Sequence, residues 1–424
     1  MEPVIQPVRG MGDVLPAEVG HWQELESVAR EVLGGYGYQE MRVPIVEHTD
    51  LFKRSIGEHT DIVEKEMYTF DDKGGDSLTL RPEATAGMVR AAISNGLIHN
   101  QKLRVWCMGP MFRHEKPQKG RYRQFHQIDV EAIGYAGPDI DAEVILASAR
   151  FWKRLGIARV RLELNSLGTP AARSVYRQRL VEYFRAHESA LDADSRRRLE
   201  GNPLRILDSK NPDMRALIDA APLLADYLDA ESAEHFAALR ALLEAAGVVY
   251  HINPRLVRGL DYYTRTVFEW VTDALGAQDA VCSGGRYDGL IAQLGGEPTP
   301  AIGWAMGQER VVALMAQTRE APQLVPDVYL VTVGVQAELA GLRLAEQLRD
   351  ASPQLRVQIN LGGGSFKNQF KRADKSGAAY AVILGDDEVA RGTAAIKPLR
   401  AAGAQIECAL TELPARLENV ISGK

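Results

Sequence analysis

Apolar residues recur at helical spacing close to the N-terminus of the chain. Between Ala17 and Leu33 they follow one another at steps of three or four residues, which predicts an amphipathic helix. The glycines at positions 34, 35 and 37 predict its end, because glycine readily adopts the left-handed conformation found at helix C-termini. The apolar positions of this helix are Trp22, Leu25, Val28, Ala29, Val32 and Leu33.

The segment that follows alternates short extended runs with turns. Two longer runs, 103–115 and 123–134, predict strands that are joined by a loop at 116–122 rich in Lys, Arg and Gly. Strand-like runs recur at 248–256 and 260–271. Because few helices separate these strands, we expect an antiparallel sheet flanked by helices, of the α+β class, and not a Rossmann array.

The helical pattern changes twice along the rest of the chain. Residues 171–248 are rich in Ala, Leu and Arg at helical spacing and predict a helical insertion, after which the strand-like pattern resumes. That second part closes with a predicted helix from about Trp304 to Gln317. Beyond Thr318, a Pro-containing linker precedes alternating strands and helices, which indicate a separate small α/β domain.

These patterns predict a core divided by its insertion, followed by a C-terminal domain. The expected boundaries are 1–170 and 249–320 for the core, 171–248 for the insertion and 326–424 for the C-terminal domain.

The composition of the chain indicates a soluble, multidomain protein. The chain has 424 residues, 46% of them hydrophobic, and a net charge of -6, so any nucleic acid must be held by local basic patches. The three cysteines form no C-x-x-C pair, which argues against a zinc site and fits a reducing cytoplasm. We expect no secretion signal and no membrane span, because no apolar run approaches about 18 residues.

The predicted strand from Gln124 to Gly134 has one polar face. Period-2 alternation puts Ile128 and Val130 on one side of the strand and polar groups on the other. A strand with a solvated face is the more common explanation of this pattern when the strand is considered alone. The alternative is a binding surface, formed by Phe125, Gln127, Asp129 and Glu131.

Basic residues precede this strand. Arg113 ends the preceding run, and a guanidinium on a strand presents a fixed set of donors suited to a phosphate. The loop charges could close over a polyphosphate, although a solvated hairpin tip explains them equally simply. They are Lys116, Lys119, Arg121 and Arg123.

Three segments in this order resemble the motifs of class II aminoacyl-tRNA synthetases. F-R-x-E at 112–115 with R-x-x-Q-F-x-Q spanning positions 121–127 resembles motif 2, and GWAMGQER at 303–310 resembles motif 3. MRVPIVEHTDLF at 41–52, with Pro44, is similar to motif 1, which forms the dimer interface in that class.

Two further segments resemble the signatures of the histidyl-tRNA synthetases within that class, namely VRGLDYY at 257–263 and SGGRYD at 283–288. RPEAT at 81–85 also matches that family. The resemblance implies a cytoplasmic homodimeric ligase that uses ATP with Mg²⁺, L-histidine and tRNA(His). It also implies that the C-terminal domain binds the anticodon.

Roles for individual residues follow from the same resemblance. Glu83, Thr85 and Gln127 would bind the amino group of histidine, and Glu131 and Tyr263 its imidazole. Tyr262 is also expected to bind histidine. Arg113 and Arg258 would bracket the α-phosphate and act in catalysis. The expected ATP-binding residues are Arg113, Glu115, Arg121, Phe125 and Arg310, and we expect no dedicated protein cluster for a metal.

Tyr262 and Tyr263 also admit a packing role. Adjacent aromatic residues in a strand point to opposite faces, so one of the two rings would fill a core. Tyr263 is therefore the one we expect in the pocket.

Two other hypotheses about the function of the chain remain possible. A regulatory paralogue, such as the regulatory subunit of ATP phosphoribosyltransferase, would keep the core without catalysis, and a pseudo-synthetase would only bind tRNA. In the C-terminal domain, Lys367, Lys371 and Lys375 recur every four residues beside Arg372. This basic stripe predicts either contact with RNA or a solvated helix face.

Overall fold

The structure is a computed structural model that describes residues 3–57, 60–118, 120–207, 209, 211–276 and 280–421. The chain divides into two compact units, Met1–Pro322 and Gln323–Lys424.

The first unit is built on a large, mainly antiparallel sheet. Its strands are β1 (Gln39–Glu40), β2 (Val46–His48), β3 (Tyr68–Asp71), β4 (Ser77–Leu80), β5 (Leu103–Phe112), β6 (Gln124–Ile133), β7 (Arg161–Ser166), β8 (Tyr250–Ile252), β9 (Thr264–Val271), β10 (Ala280–Arg286) and β11 (Ala301–Gly307). In the described part of the chain the large sheet has the order β1-β5-β6-β11-β10-β9-β7-β8, and β2, β4 and β3 form a small sheet. The edge strands β1 and β8 pair in parallel and the inner strands pair antiparallel, as predicted.

Helices flank the sheets of the first unit and form most of the stretch between β7 and β8. They are α1 (Val19–Gly35), α2 (Thr49–Ile56), α3 (Thr85–Ser94), α4 (Pro138–Leu155), α5 (Pro170–Ala186), α6 (Ala193–Gly201), α7 (Arg215–Asp219), α8 (Ala230–Ala245), α9 (Leu290–Gln293) and α10 (Gln308–Thr318). α5 to α8 lie in the segment predicted as a helical insertion.

The first helix confirms the apolar spacing from which it was predicted. Its apolar stripe, including Leu25, Val32 and Leu33, is buried in one core with residues of α4 and α10. Gly34 and Gly35 are still helical, and the chain turns at Gly37, whose φ is +76°. The helix therefore ends within the predicted group of glycines, two residues beyond Leu33.

Both faces of β6 are buried. Ile128 and Val130 pack in the main core, as alternation predicts. The polar face is not solvated, because Asp129 and Glu131 are 0% and 1% exposed. Thr85, the first residue of α3, donates to Glu131, so the start of α3 covers this face.

The helical segment between β7 and β8 extends the core of the first unit. Leu239 and Leu243 of α8 join the main core, whereas Tyr176 and Leu180 of α5 belong to a second core that also includes Tyr263. The segment therefore continues the hydrophobic packing around the sheet.

A buried charged cluster ties α8 to the sheet. Asp141 on α4 accepts hydrogen bonds from His235 Nε2 at 2.8 Å and from Thr266 Oγ1 at 2.6 Å, and it pairs with Arg286 at 2.7 Å. Buried charges are tolerated when paired and hydrogen-bonded in this way. The cluster fixes Arg286 and hence the adjacent Tyr287.

Two predictions about local structure in the first unit were wrong. Trp304 belongs to β11, and the helix starts only at Gln308, because a run of Gly and apolar residues pairs with both β6 and β10. Tyr262 and Tyr263 precede β9, so strand alternation does not separate them; both are buried, with ring centroids 4.6 Å apart.

The second unit is a small α/β fold, as predicted. It contains β12 (Val328–Val333), β13 (Val357–Ile359), β14 (Tyr380–Gly385), β15 (Thr393–Pro398) and β16 (Ile406–Ala409), with helices α11 (Val335–Ala351), α12 (Phe366–Lys375), α13 (Asp386–Arg391) and α14 (Leu413–Ile421). The strand order β13-β12-β14-β15-β16 has parallel pairs on one side of β14 and antiparallel pairs on the other.

Candidate active site

A cavity of about 690 Å³ opens in the first unit. Its walls combine the ends of β5 and β6 with β9, β10 and β11, the start of α3 and part of the helical insertion. The predicted site residues that line it are Glu83, Thr85, Arg113, Glu115, Arg121, Phe125, Gln127, Arg258, Tyr262, Tyr263 and Arg310.

Glu83 is fixed by the first turn of α3. Its carboxylate accepts the backbone N–H groups of Thr85 at 2.9 Å and Ala86 at 2.8 Å, donors that have no partner inside a helix. Burial raises the pKa of Glu83, and these hydrogen bonds offset part of that shift. The carboxylate is thus a rigid acceptor with lone pairs left for a cation.

Glu131 lies behind this wall. Thr85 Oγ1 donates to its Oε1 at 2.6 Å, and the Tyr287 hydroxyl donates to its Oε2. Burial raises the pKa of Glu131 to about 8, although both hydrogen bonds act in the opposite direction. Thr85 therefore connects the two carboxylates, through its backbone N–H to Glu83 and its hydroxyl to Glu131.

Gln127 presents an acceptor without a protein partner. Its Oε1 is buried and makes no hydrogen bond within the described residues, while its backbone carbonyl accepts from Gln308. A buried acceptor of this kind is costly unless a ligand supplies the donor.

Arg113 lies just after β5 on the cavity wall. Its Nε donates to the carbonyl of Pro82 at 2.9 Å, which fixes the plane of the guanidinium. The guanidinium carbon also lies 5.2 Å from the ring centroid of Phe125, within cation–π range. Arg113 and Phe125 therefore form one surface at the cavity.

Arg310, at the start of α10, holds the hairpin loop between β5 and β6. Its Nε donates to the carbonyl of Gly120 at 3.1 Å, and its Nη1 donates to the carbonyl of Ala280. In the same loop Arg121 pairs with Glu115 at 3.1 Å. Lys119 lies outside the described residues.

Arg258 also lines the cavity. Its Nη1 donates to Glu269, and its guanidinium carbon lies 5.3 Å from the ring centroid of Tyr263. Burial raises the pKa of both Tyr262 and Tyr263, which keeps these hydroxyls protonated as donors.

Several residues at the cavity escaped the sequence analysis. Tyr287 stands inside the SGGRYD segment and could have been chosen as a site residue on that ground. Glu269 lies in an ordinary strand pattern, which gives no signal. The helical insertion also contributes to the lining, with Asp192, Asp194, Arg198, Arg205 and Ser209.

Across 3–57, 60–118, 120–207, 209, 211–276 and 280–421 no group of three or more His, Cys, Asp and Glu residues could hold a metal ion. The helices within these ranges include none that is long and apolar enough to span a membrane.

Comparison with known families matches both units. Residues 10–311 match the family model described as histidyl-tRNA synthetase, and residues 327–420 match that of an anticodon binding domain. These matches correspond to the first unit and to the C-terminal α/β unit.

Solved structures agree with the family models. The chain is 34% identical to the apo histidyl-tRNA synthetase of S. aureus, over 98% of this chain and 100% of that one, with a TM-score of 0.82. Two further structures share the fold at lower identity. The histidyl-tRNA synthetase of Nostoc sp. PCC 7120 is 20% identical over 99% of this chain and 100% of that one, with a TM-score of 0.71. An ATP phosphoribosyltransferase regulatory subunit/histidyl-tRNA synthetase from Bacillus halodurans is 22% identical over 91% of this chain and 99% of that one, with a TM-score of 0.66.

Proposed function

Because the chain belongs to the histidyl-tRNA synthetase family and is a histidine-tRNA ligase, we propose how its two-step reaction proceeds at this cavity. L-Histidine reacts with ATP to give histidyl-adenylate and pyrophosphate, and the histidyl group is then transferred to the 3′ end of tRNA(His). The observation that carries this proposal is the buried carboxylate of Glu131, placed beside a cavity lined by Arg113 and Arg258.

The polar wall of the cavity suits the two cationic ends of histidine. The amino group would be held by Glu83 and the unpartnered Oε1 of Gln127, together with Thr85. Glu131 would accept an imidazole N–H, and the Tyr263 hydroxyl would bond the other ring nitrogen. An analogue that lacks either nitrogen would leave a buried polar group unpaired, which costs about 1–3 kcal/mol or more.

The arginine-rich wall suits the nucleotide. Arg113 and Arg258 would bracket the α-phosphate and stabilise the charge that develops as the histidine carboxylate attacks in line and pyrophosphate leaves. Arg121 and Arg310 would hold the outer phosphates, with Glu115 and Phe125 at the adenosine end. Positioning and charge suffice for this step, so no side chain needs to act as a nucleophile.

Magnesium would enter with its nucleotide. Mg²⁺ commonly binds through substrate phosphates and a few carboxylates and keeps several waters. We therefore propose that it reaches the site coordinated by the β- and γ-phosphates of ATP.

The second unit would select the tRNA by its anticodon, in line with its match to an anticodon binding domain. We also propose that the enzyme acts in the cytoplasm as a homodimer. The three cysteines are buried free thiols, which suits a reducing compartment. The dimer is inferred from the motif 1 resemblance of 41–52, and sedimentation at micromolar concentration tests it.

The test of the overall proposal is ATP/pyrophosphate exchange with each amino acid in turn. Exchange that depends on histidine alone is the expected result. No histidine-dependent exchange from the folded protein would show that the chain is a silent paralogue, whether regulatory or merely tRNA-binding.

A further inference from the structure

Arg258 is held in place by Glu269, a residue of strand β9. Its Nη1 donates to Glu269 Oε1, and the two side chains, 15% and 17% exposed, both line the cavity. Glu269 lies within β9, whereas Arg258 lies in the irregular segment between β8 and β9. A residue in the sheet thus fixes a residue on a loop.

Glu269 is itself fixed by its neighbours across the sheet. Ser283 on β10 lies directly opposite it in the register, and Ser283 Oγ donates to Glu269 Oε1 at 3.3 Å. On the other side, Glu163 of β7 lies opposite Glu269. Pairing with both strands leaves the Glu269 backbone little freedom to move.

One donor of the Arg258 guanidinium is not taken up by the described residues. A guanidinium carries five N–H donors in a planar arrangement, and the Arg258 Nε is buried without a hydrogen-bond partner in the described part of the chain. The Tyr263 ring, 5.3 Å from the guanidinium carbon, restricts the group from one side. The pair with Glu269 therefore orients Arg258 and leaves a donor for a ligand in the cavity.

We propose that Glu269, seated by Ser283, is the positioning residue that sets the Arg258 guanidinium against the α-phosphate. This inference rests on the proposed adenylation reaction. The carboxylate offsets most of the Arg258 charge, so the pair adds little to ground-state attraction of ATP. Its contribution is orientation in the transition state, which raises the rate more than the affinity.

Glu269→Ala tests the proposal in the full-length enzyme by single-turnover formation of histidyl-adenylate. Misplacing a catalytic group by about 1 Å costs on the order of 100-fold in rate, so we expect a fall of roughly 10- to 100-fold. The apparent ATP affinity and the histidine Kd should change less than about threefold, as expected for an interaction used only in the transition state. Glu269→Gln, which keeps the shape and an acceptor oxygen, should retain more of the rate.

Glu163→Ala is the matched control. Glu163 lies in the same sheet, directly opposite Glu269, and binds Arg161 at 2.9 Å and Asn253 at 2.6 Å. Among the described residues Glu163 neither lines the cavity nor pairs with Arg258, so its removal deletes a polar cluster of the same sheet, and adenylate formation should stay within about threefold of the unaltered enzyme.

A double variant separates positioning from general structural support. If Glu269 acts through Arg258, then Arg258→Ala/Glu269→Ala should be no slower than Arg258→Ala alone. Additive losses, or a Glu269→Ala rate equal to that of Glu163→Ala, would overturn the inference.

Two further experiments distinguish a folding defect of Glu269→Ala from a failure of the proposed function. Should Glu269→Ala fail to fold in thermal unfolding, Ser283→Ala gives a milder test, with a rate loss of a few-fold expected and an unchanged rate as the contrary result. An unaltered enzyme that forms no histidyl-adenylate would contradict the proposed function itself.

Discussion

Gly303 on β11 lies directly opposite Glu131 on β6, and a Cβ at position 303 would fall 1.7 Å from Glu131 Oε2. The same oxygen accepts the Tyr287 hydroxyl. The space left by the missing side chain is therefore the space that the Glu131 carboxylate occupies. This glycine, part of the motif 3 resemblance, thus makes room for a residue of the proposed histidine pocket.

Gly303→Ala should displace Glu131 and abolish productive histidine binding. The added carbon would also lie 2.4 Å from the carbonyl oxygen of Val130, so the strand must shift as well. We expect histidine-dependent ATP/pyrophosphate exchange to fall on the order of 100-fold, as for a misplaced binding group. Exchange assays with a histidine titration measure the loss.

Gly289→Ala is the control for this change, because nothing lies within 4 Å of a Cβ built at position 289. Its activity and melting temperature should stay close to those of the unaltered protein. Normal exchange by Gly303→Ala would mean that Glu131 can move without loss, contrary to its proposed role.

Tyr287→Phe should weaken histidine binding through Glu131. Loss of the hydroxyl removes a hydrogen bond that lowers the Glu131 pKa, so this pKa should rise above its value of about 8. Near pH 7, below this pKa, Glu131 must lose its proton to accept the imidazole N–H, so each unit by which the pKa rises should increase the histidine Kd about tenfold. Isothermal titration calorimetry between pH 6.5 and 9 measures the histidine Kd of this variant and of the unaltered protein.

Tyr176→Phe is the matched control for that variant. Tyr176 is as fully buried as Tyr287, and its hydroxyl donates to Pro222 O at 3.0 Å, away from Glu131. Histidine Kd should be unchanged in this variant. An equal loss in both would show a general packing effect.

Much of the fold could be predicted because local patterns determine it. Alternation was sufficient for β5 and β6, and the motif letters identified residues such as Arg113 and Tyr263 that line one cavity. Asp129 was recognised only as a polar position in a strand. Its surroundings include Arg81 and Glu83, which come from a different part of the chain.

Other features could not be read from local sequence. Trp304 was placed in a helix, because the run around it carries no strand alternation and only its pairing with β6 and β10 makes it extended. Glu269 gave no signal, since its role depends on a partner eleven residues upstream that lies outside regular structure. Long-range pairing decides both cases.

Asp129→Asn should stabilise the protein, and more so at high pH. Both carboxylate oxygens of Asp129 are buried without a hydrogen-bond partner in the described residues, and burial raises its pKa well above the usual range. Below about pH 4 the Asp129 carboxyl is protonated in both the folded and the unfolded state. Between about pH 4 and the pKa of Asp129 in the folded protein, Asp129 ionises in the unfolded state but stays protonated in the folded state. The free energy of unfolding of the unaltered protein therefore falls as pH rises through this range.

Thermal unfolding at pH 4.5 and pH 8 measures the effect. The gain in melting temperature for Asp129→Asn should be larger at pH 8, and Asp226→Asn, at an exposed position, should show no such difference. A gain that is equal at both pH values would mean that Asp129 keeps an ordinary pKa in the folded protein.

Variants of the basic stripe on α12 test whether this surface of the second unit contacts tRNA. Lys367, Lys371 and Lys375 are exposed, whereas Arg372 bonds Asn360 at 3.0 Å and the carbonyl of Gly363 at 2.9 Å and thereby holds the adjoining loop. Replacing the three lysines by Ala should raise the KM for tRNA(His) and leave histidine-dependent exchange unchanged, because we propose that exchange takes place at the cavity of the first unit. If each lysine meets one phosphate, the slope of log KM against log salt should fall by about two, at roughly 0.7–0.9 per contact. Replacing exposed Arg343 of α11 and exposed Arg416 of α14 by Ala controls for loss of positive charge in the same unit. An unchanged KM for the lysine variant would identify the stripe as a solvated helix face, and the anticodon would then be contacted by other residues.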